Sequence, residues 1–189
     1  VALRGDAPQG AAQYVPHPDG YAYGADLVAG LRKIADFDIS VAAYPETHPE
    51  ATSAEDDLLN LRRKVDAGAT RAITQFFFEA EPYLRLVEGL SAFGCDKPVL
   101  PGIMPVTNAA QVVRFAQLAG AAFPPHLAAR FDAIADDGDA VRALGVELAS
   151  ELCQRLLDEG APGLHFYTLN RSTATREIAA NLGLGDALS

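Results

Sequence analysis

With 189 residues, 49% of them apolar, the chain is long enough for one globular domain with a sizeable core. A formal net charge of −10 and a pI of about 4.7 argue against a nucleic-acid binder, which usually carries a basic patch. No apolar run approaches the roughly 18 residues of a membrane span, and Val1-Ala2-Leu3 runs straight into Arg4-Gly5-Asp6 with no signal-peptide pattern.

The elements follow in chain order. Val1–Leu3 predicts a very short strand, and Asp26–Ala35 an amphipathic helix. Ile39–Tyr44 reads as the next strand. Ser53 with Asp56 forms a capping-box signature ahead of Leu58, Leu59, Leu61 and Val65. Ala72–Phe78 is a third strand, and Pro82–Phe93 a helix that stops at Gly94. Val99–Val106 is a fourth strand, followed by an Asn108/Gln111 capping box ahead of Val112, Val113, Phe115 and Leu118. A long helical pattern from Asp139 to Glu159 ends at Gly160. Gly163–Leu169 is the fifth strand, and Ser172 or Thr173 caps a last helix ending near Gly183. Cys95 and Cys153 have no metal-type C-x-x-C spacing and are expected as two buried reduced thiols, which favours the cytoplasm.

Strands alternating with helices imply parallel βα units. No G-x-G-x-x-G follows any strand, so the dinucleotide fingerprint of an open doubly wound sheet is absent. Polar residues gather just after the strands, at Arg4-Gly5-Asp6, Glu46 and His48, Gln75, Asn108 and Asn170-Arg171. Barrel enzymes place their chemistry there. The predicted fold is an α/β, parallel (β/α)8 TIM-type barrel with only about the last five βα units present, as a single domain over residues 1–189. A whole barrel has eight strands and about 250 residues, so roughly three units are expected to be missing. That truncation should leave apolar edges at Val1–Leu3 and Gly163–Leu169, and should expose inner-face residues such as Ile39, Val41, Phe76 and Phe166.

Individually the polar motifs are weak. Arg4-Gly5-Asp6 fits a polar turn as well as a site where backbone approaches a flat ligand. Tyr44-Pro45-Glu46-Thr47-His48-Pro49 is a loop stiffened by two prolines, and a metal reading of Glu46 and His48 lacks a third ligand nearby. Asp57, Asn60 and Lys64 share one helical stripe, usually a solvated face, although Arg63 and Lys64 could also meet a phosphate. Gln75 is a lone amide in an apolar strand, so a core partner or a ligand must satisfy it. Arg171, after the last strand, is well placed for an anionic group.

Taken in order, the segments LRGD at Leu3–Asp6, DLV at Asp26–Val28, FDISVAAYPETHPEA at Phe37–Ala51, KVDAGA at Lys64–Ala69, AITQFFF at Ala72–Phe78, PGIMPVTN at Pro101–Asn108 and HFYTLNR at His165–Arg171 are specific. The chain resembles the methylenetetrahydrofolate reductase family from Leu3 to about Leu184. The resemblance implies an oxidoreductase that carries FAD. It passes a hydride from NADH or NADPH by way of the flavin to 5,10-methylenetetrahydrofolate in a ping-pong scheme, giving 5-methyltetrahydrofolate.

By the same resemblance Leu3, Arg4, Gly5, Asp6, Tyr23, Gly24, Tyr44, His48, Asp57, Asn60, Arg63, Lys64 and Ile73 are flavin contacts. Asp6 is also the catalytic carboxylate beside the pterin. Gln75 meets folate and nicotinamide, and Gln111, Phe115 and Arg171 contact folate. Gly24 stands where the family often has alanine. The family's first-strand glutamate, its general acid, has no counterpart in this sequence, nor do its threonine and histidine flavin contacts on the next strands. The implied partners are folate and NAD(P)H, with neither nucleic acid nor membrane, in a cytoplasmic homo-oligomer. The runner-up reading is a non-catalytic fragment or pseudo-enzyme subunit of the same fold.

Overall fold

The computed structural model describes residues 1–5, 14–119 and 121–184. Its elements are α1 (Gly24–Ile34), β1 (Ser40–Ala43), α2 (Ala54–Asp66), β2 (Arg71–Phe76), α3 (Ala80–Ala92), β3 (Val99–Ile103), α4 (Ala109–Ala119), α5 (Pro125–Asp132), α6 (Gly138–Asp158), β4 (His165–Phe166) and α7 (Thr173–Asn181). The four strands pair in chain order, β1-β2-β3-β4, and every pairing is parallel. This is the α/β arrangement that the strand–helix alternation implied.

The register explains why one sheet face is sealed. Val41 pairs with Ala72 and Ala72 with Val99, and all three are buried. The next row, Ala42, Ile73 and Leu100, points to the other face and is half-buried. Successive strand residues alternate faces, so a single row decides the whole pattern. On the sealed face lie Val28 of α1, Leu61 of α2, Leu86 and Leu90 of α3, Val146, Cys153 and Leu156 of α6, and Ile178 of α7. Each large side chain removed from water there contributes about 1.5–3 kcal/mol. A second cluster joins Phe76, Met104 and Val106 to Val112 and Ala116 of α4 and to Phe131 of α5.

Several expectations change. The first expected strand, Val1–Leu3, reduces to one parallel bridge between Ala2 and Val41, with the Ala2 N–H donating to the Ser40 carbonyl at 2.8 Å. The last strand shrinks from Gly163–Leu169 to His165–Phe166. Leu169 and Asn170 adopt positive φ, +50° and +61°, which turns the chain out of extended geometry. Ile39, Val41 and Phe76 are 3%, 0% and 5% exposed, against the expectation that they would face water. Ile39 and Val41 lie in the main core on the helix-covered face, whereas Phe76, beyond a register shift in β2, is buried in the second cluster; Phe166 is half-buried. Helix α5 was not expected from periodicity; Pro125 opens it at the first helical position. Cys153 is fully buried, but Cys95 is only half-buried; both are free thiols. Ser53 caps α2 as expected, accepting from the Asp56 N–H at 3.1 Å. At the start of α4 the Asn108 side chain accepts from the Gln111 N–H at 3.0 Å. No helix among the described residues is long and apolar enough to cross a membrane.

Tyr83 ties α3 to the sheet, its hydroxyl donating to the Val99 carbonyl at 2.9 Å. Burial pushes its phenol up to about 12, and does the same to the Cys153 thiol. A raised pKa means that the folded state holds its proton longer than the unfolded chain. The stability tied to it is present below the unfolded value and is lost as pH rises towards the folded one. Tyr83→Phe should therefore cost about 1 kcal/mol at neutral pH. It should also flatten the alkaline loss of stability between the ordinary tyrosine pKa and about 12, leaving the Cys153 share, as read by urea titrations across that range.

Candidate functional site

The C-terminal ends of β1 and β2 open onto the densest polar cluster. After β1 the chain turns through Tyr44-Pro45-Glu46-Thr47-His48 before entering α2. Asp57, in the first turn of α2, accepts the His48 backbone N–H at 2.9 Å and so fixes this loop to the helix. The Tyr44 and His48 rings meet edge to face, 4.4 Å between centroids. His48 Nδ1 accepts from the Glu50 N–H at 3.0 Å. One helical turn pair further on, Lys64 sends its ammonium back to the Ala42 carbonyl at 3.0 Å.

Burial governs the charges of this cluster. It pushes the Lys64 ammonium below the usual lysine range; Asp57 opposes that shift and Arg4 adds to it. It pushes the Asp57 carboxyl up, against the pull of the His48 N–H, the His48 ring and Lys64. Desolvation therefore outweighs the mutual attraction of this pair, so the cation is under-compensated. An additional anion would relieve it.

Gly24, the first residue of α1, lies beside Lys64: a Cβ there would stand 3.6 Å from Lys64 Cε, ordinary contact distance. Alanine would fit that position without strain. Tyr23 is 68% exposed at the head of the same helix, and its N–H donates to the Asp26 carboxylate at 3.1 Å. Arg4 pairs with Glu50 at 2.9 Å and lies 4.5 Å over the Tyr14 ring. Gly5 has a φ of +83°, and no described residue lies within 4 Å of where a Cβ would stand. Beside the loop, a cavity of about 390 Å³ is lined by Tyr44, Glu46, Asp57, Lys64, Arg85 and Leu86, among others.

Of the residues singled out from the sequence, Arg4, Gly24, Tyr44, His48, Asp57 and Lys64 come together here. Ile73 sits in the half-buried row beside Ala42, and Gln75 lies two residues further along β2. Asn60 and Arg63 pair with each other at 2.6 Å, and Arg63 is exposed. Leu3 is 57% exposed. Gln111 is exposed on α4, and Arg171 is exposed after β4 with no ion pair to a described residue. Asp6 and the Phe115 side chain lie outside what the structure describes.

Two features were missed from the sequence. Glu46 Oε2 accepts the Ala122 N–H at 2.8 Å, linking the β1–α2 loop to the segment after α4. Thr74, fully buried next to Gln75, accepts the Gly102 N–H at 2.8 Å. A buried hydroxyl in an apolar strand must be satisfied, and that was the available clue. Among the described residues no group of three or more histidine, cysteine or acidic side chains is disposed to hold a metal ion.

The family model described as methylenetetrahydrofolate reductase matches residues 1–183. The chain belongs to the methylenetetrahydrofolate reductase family. It is 48% identical over 188 residues to the 5,10-methylenetetrahydrofolate reductase of Escherichia coli K12, a match covering 100% of this chain and 62% of that protein. It is 39% identical over 197 residues to methylenetetrahydrofolate reductase (NADH) 1 of Arabidopsis thaliana, covering 98% of this chain and 33% of the relative. The chain thus spans about three-fifths of the bacterial relatives' length. An uncharacterized protein from Clostridium thermocellum, described as binding two copies of 5-methyl-5,6,7,8-tetrahydrofolic acid, shares the fold with a TM-score of 0.54 at 16% identity. That match covers 84% of this chain and 58% of the other.

In this reductase-family chain the Glu46 link carries a pH signature. Burial raises the Glu46 carboxyl, Glu79 adds to the rise, and the Ala122 N–H and Arg85 oppose it. The folded state therefore holds its proton above the unfolded value, and stability falls as pH climbs from the ordinary glutamate range through the raised one. Glu46→Gln keeps an oxygen for Ala122 and removes the charge. It should melt slightly higher than the parent at neutral pH and lose that part of the acid-side slope, as read by thermal unfolding at pH values from acid to neutral.

Proposed function

We propose that this chain forms the flavin- and folate-binding part of an enzyme that reduces 5,10-methylenetetrahydrofolate to 5-methyltetrahydrofolate with NAD(P)H. The observation that carries the proposal is the desolvated Lys64, held on the Ala42 carbonyl beside Asp57, His48 and the open N-terminus of α1, in a chain of this family. A desolvated cation next to a helix N-terminus suits a pyrophosphate. The residues fit FAD: Lys64 and the Gly24 turn suit its phosphates, and Tyr44, braced edge to face by His48, offers an aromatic face. Leu3, Arg4, Gly5, Tyr23, Asn60, Arg63 and Ile73 complete the proposed flavin contacts. When bound, FAD supplies the hydride relay between nicotinamide and folate.

The chain's own residues then position and polarise. Gln75 holds whichever substrate occupies the site, which the two use in turn. Asp6 places a negative charge beside the pterin and favours the cationic iminium form of the folate. Gln111 and Phe115 hold the folate, and Arg171 meets one of its carboxylates. The consecutive parallel strands, with Gln75 at the end of β2 and Arg171 after β4, support a (β/α)8 barrel of which this single domain is the later part. A cytoplasmic homo-oligomer completes the reading.

Lys64→Ala combined with His48→Ala should fold normally and lose flavin on dilution. A charge-assisted contact of about 1.5–3 kcal/mol corresponds to at least a tenfold weaker affinity. In the parent, flavin affinity should fall as pH rises through the lowered Lys64 pKa, because the ammonium is what binds. Visible absorbance after gel filtration reads both, and a double variant that keeps its full yellow complement refutes the assignment. Asp6→Asn should slow reoxidation of the flavin by folate by about tenfold or more while leaving its reduction by NAD(P)H nearly unchanged. Stopped-flow absorbance separates the two half-reactions, and equal losses in both would remove the role given to Asp6.

A further inference from the structure

We propose that Tyr167 is a positioning residue for Gln75, acting through the backbone of Thr74. The inference rests on the reading of Gln75 as a substrate contact, and deepens it. Tyr167 directly follows β4, where its N–H donates to the Ile103 carbonyl at 2.8 Å. Its hydroxyl does not stay with the neighbouring strand. It crosses β3 and donates to the Thr74 carbonyl of β2 at 2.9 Å. The crossing is possible because Gly102 lies beneath it: a Cβ there would stand 2.7 Å from Tyr167 Cε2 and 2.3 Å from the Thr74 oxygen.

The contact falls at a break in the sheet. Ile73 pairs with Leu100, whereas Phe76 pairs with Gly102, so three steps along β2 match two along β3. The extra residue is a β-bulge, a device that re-aims a side chain and takes backbone groups out of the ladder. Both displaced functions are replaced by side chains. The Gly102 N–H donates to Thr74 Oγ1 instead of to a backbone carbonyl, and the Thr74 carbonyl receives the Tyr167 hydroxyl. Phe76 and His165 set the Tyr167 ring from two sides, edge to face at 5.8 and 5.0 Å.

Gln75 is the residue that this bulge presents. Its Oε1 accepts the N–H of Phe76 at 3.0 Å. Only the oxygen of an amide accepts a hydrogen bond, so the orientation is fixed and the NH₂ group remains as the donor to a ligand carbonyl. Tyr167 therefore holds the peptide before Gln75, and the Phe76 N–H holds its side chain from the peptide after it. Without the Tyr167 hydroxyl, the Thr74 carbonyl is unpaired and the bulge is free to shift.

The test uses the flavin-loaded protein with Tyr167→Phe, Gln75→Ala and the double variant. Tyr167→Phe should keep its flavin and raise the KM for both folate and NAD(P)H by about tenfold. It should also speed hydrogen–deuterium exchange at the Phe76 amide. Adding it to Gln75→Ala should change either KM by less than about twofold, since the two act as one unit. Thr74→Ser, which keeps both oxygens, should behave as the parent. A Tyr167→Phe effect that persists undiminished in the Gln75→Ala background would show a general structural role and overturn the proposal, as would unchanged Phe76 exchange. Should Gln75→Ala alone leave both KM values intact, the substrate-contact reading itself falls, and the positioning role with it.

Discussion

Val41, Ala72 and Val99 lie side by side in one buried row of a parallel sheet, and every other placement in the molecule follows from that row. Parallel strands in consecutive order put all their C-terminal ends on one edge. Each return helix must then cover the same face, because the connections of β1, β2 and β3 cross over in the same sense. The apolar sides of α1, α2, α3, α6 and α7 meet in one cluster on that face. The polar cluster sits in the loops at those C-terminal ends, where Tyr44, His48 and Gln75 gather.

Two kinds of polar group meet at those strand ends. One kind is structural and fully satisfied: Thr74 with Gly102 and Tyr167, and Tyr83 with Val99. The other is strained by desolvation. Lys64 loses water and gains, among the described residues, the Ala42 carbonyl and a neighbouring carboxyl whose own charge is disfavoured by burial. Stable folds rarely keep such a cation without purpose, because leaving it under-compensated costs more than an apolar replacement. An anion bound there would offset the uncompensated charge, and the N-terminus of α1 adjoins Lys64.

The loop conformations repeat this division. Leu169 and Asn170 hold left-handed backbone just before Arg171, at a cost of order 1–3 kcal/mol each for residues other than glycine. Asparagine tolerates that region far better than leucine. The pair sits in the segment that turns the chain out of β4 and sets the exposed Arg171 beyond the strand end. Glu46 similarly spends a half-buried carboxylate on the Ala122 N–H, fastening the β1–α2 loop to the connection behind α4.

Local pattern was enough for the alternation of strands and helices, for the Ser53 cap, and for the ordered segments that identify the family, because period, capping and composition are properties of short stretches. It also marked Tyr44, His48, Asp57 and Lys64, whose spacing around one loop and one helix is local. It misassigned the exposure of Ile39 and Val41, since parity fixes which residues share a face but not which face the helices cover, and that of Phe76, which a register shift in β2 and the second cluster bury. It overextended β4, because Leu169 carries no composition cue for left-handed backbone and a single asparagine, Asn170, does not end an apolar run by itself. The link from Tyr167 across Gly102 to Thr74 joins residues 93 positions apart, and the Glu46 link to Ala122 spans 76. Such contacts exist only once the sheet register and the crossover helices have brought the strand ends together, so they belong to the tertiary structure alone.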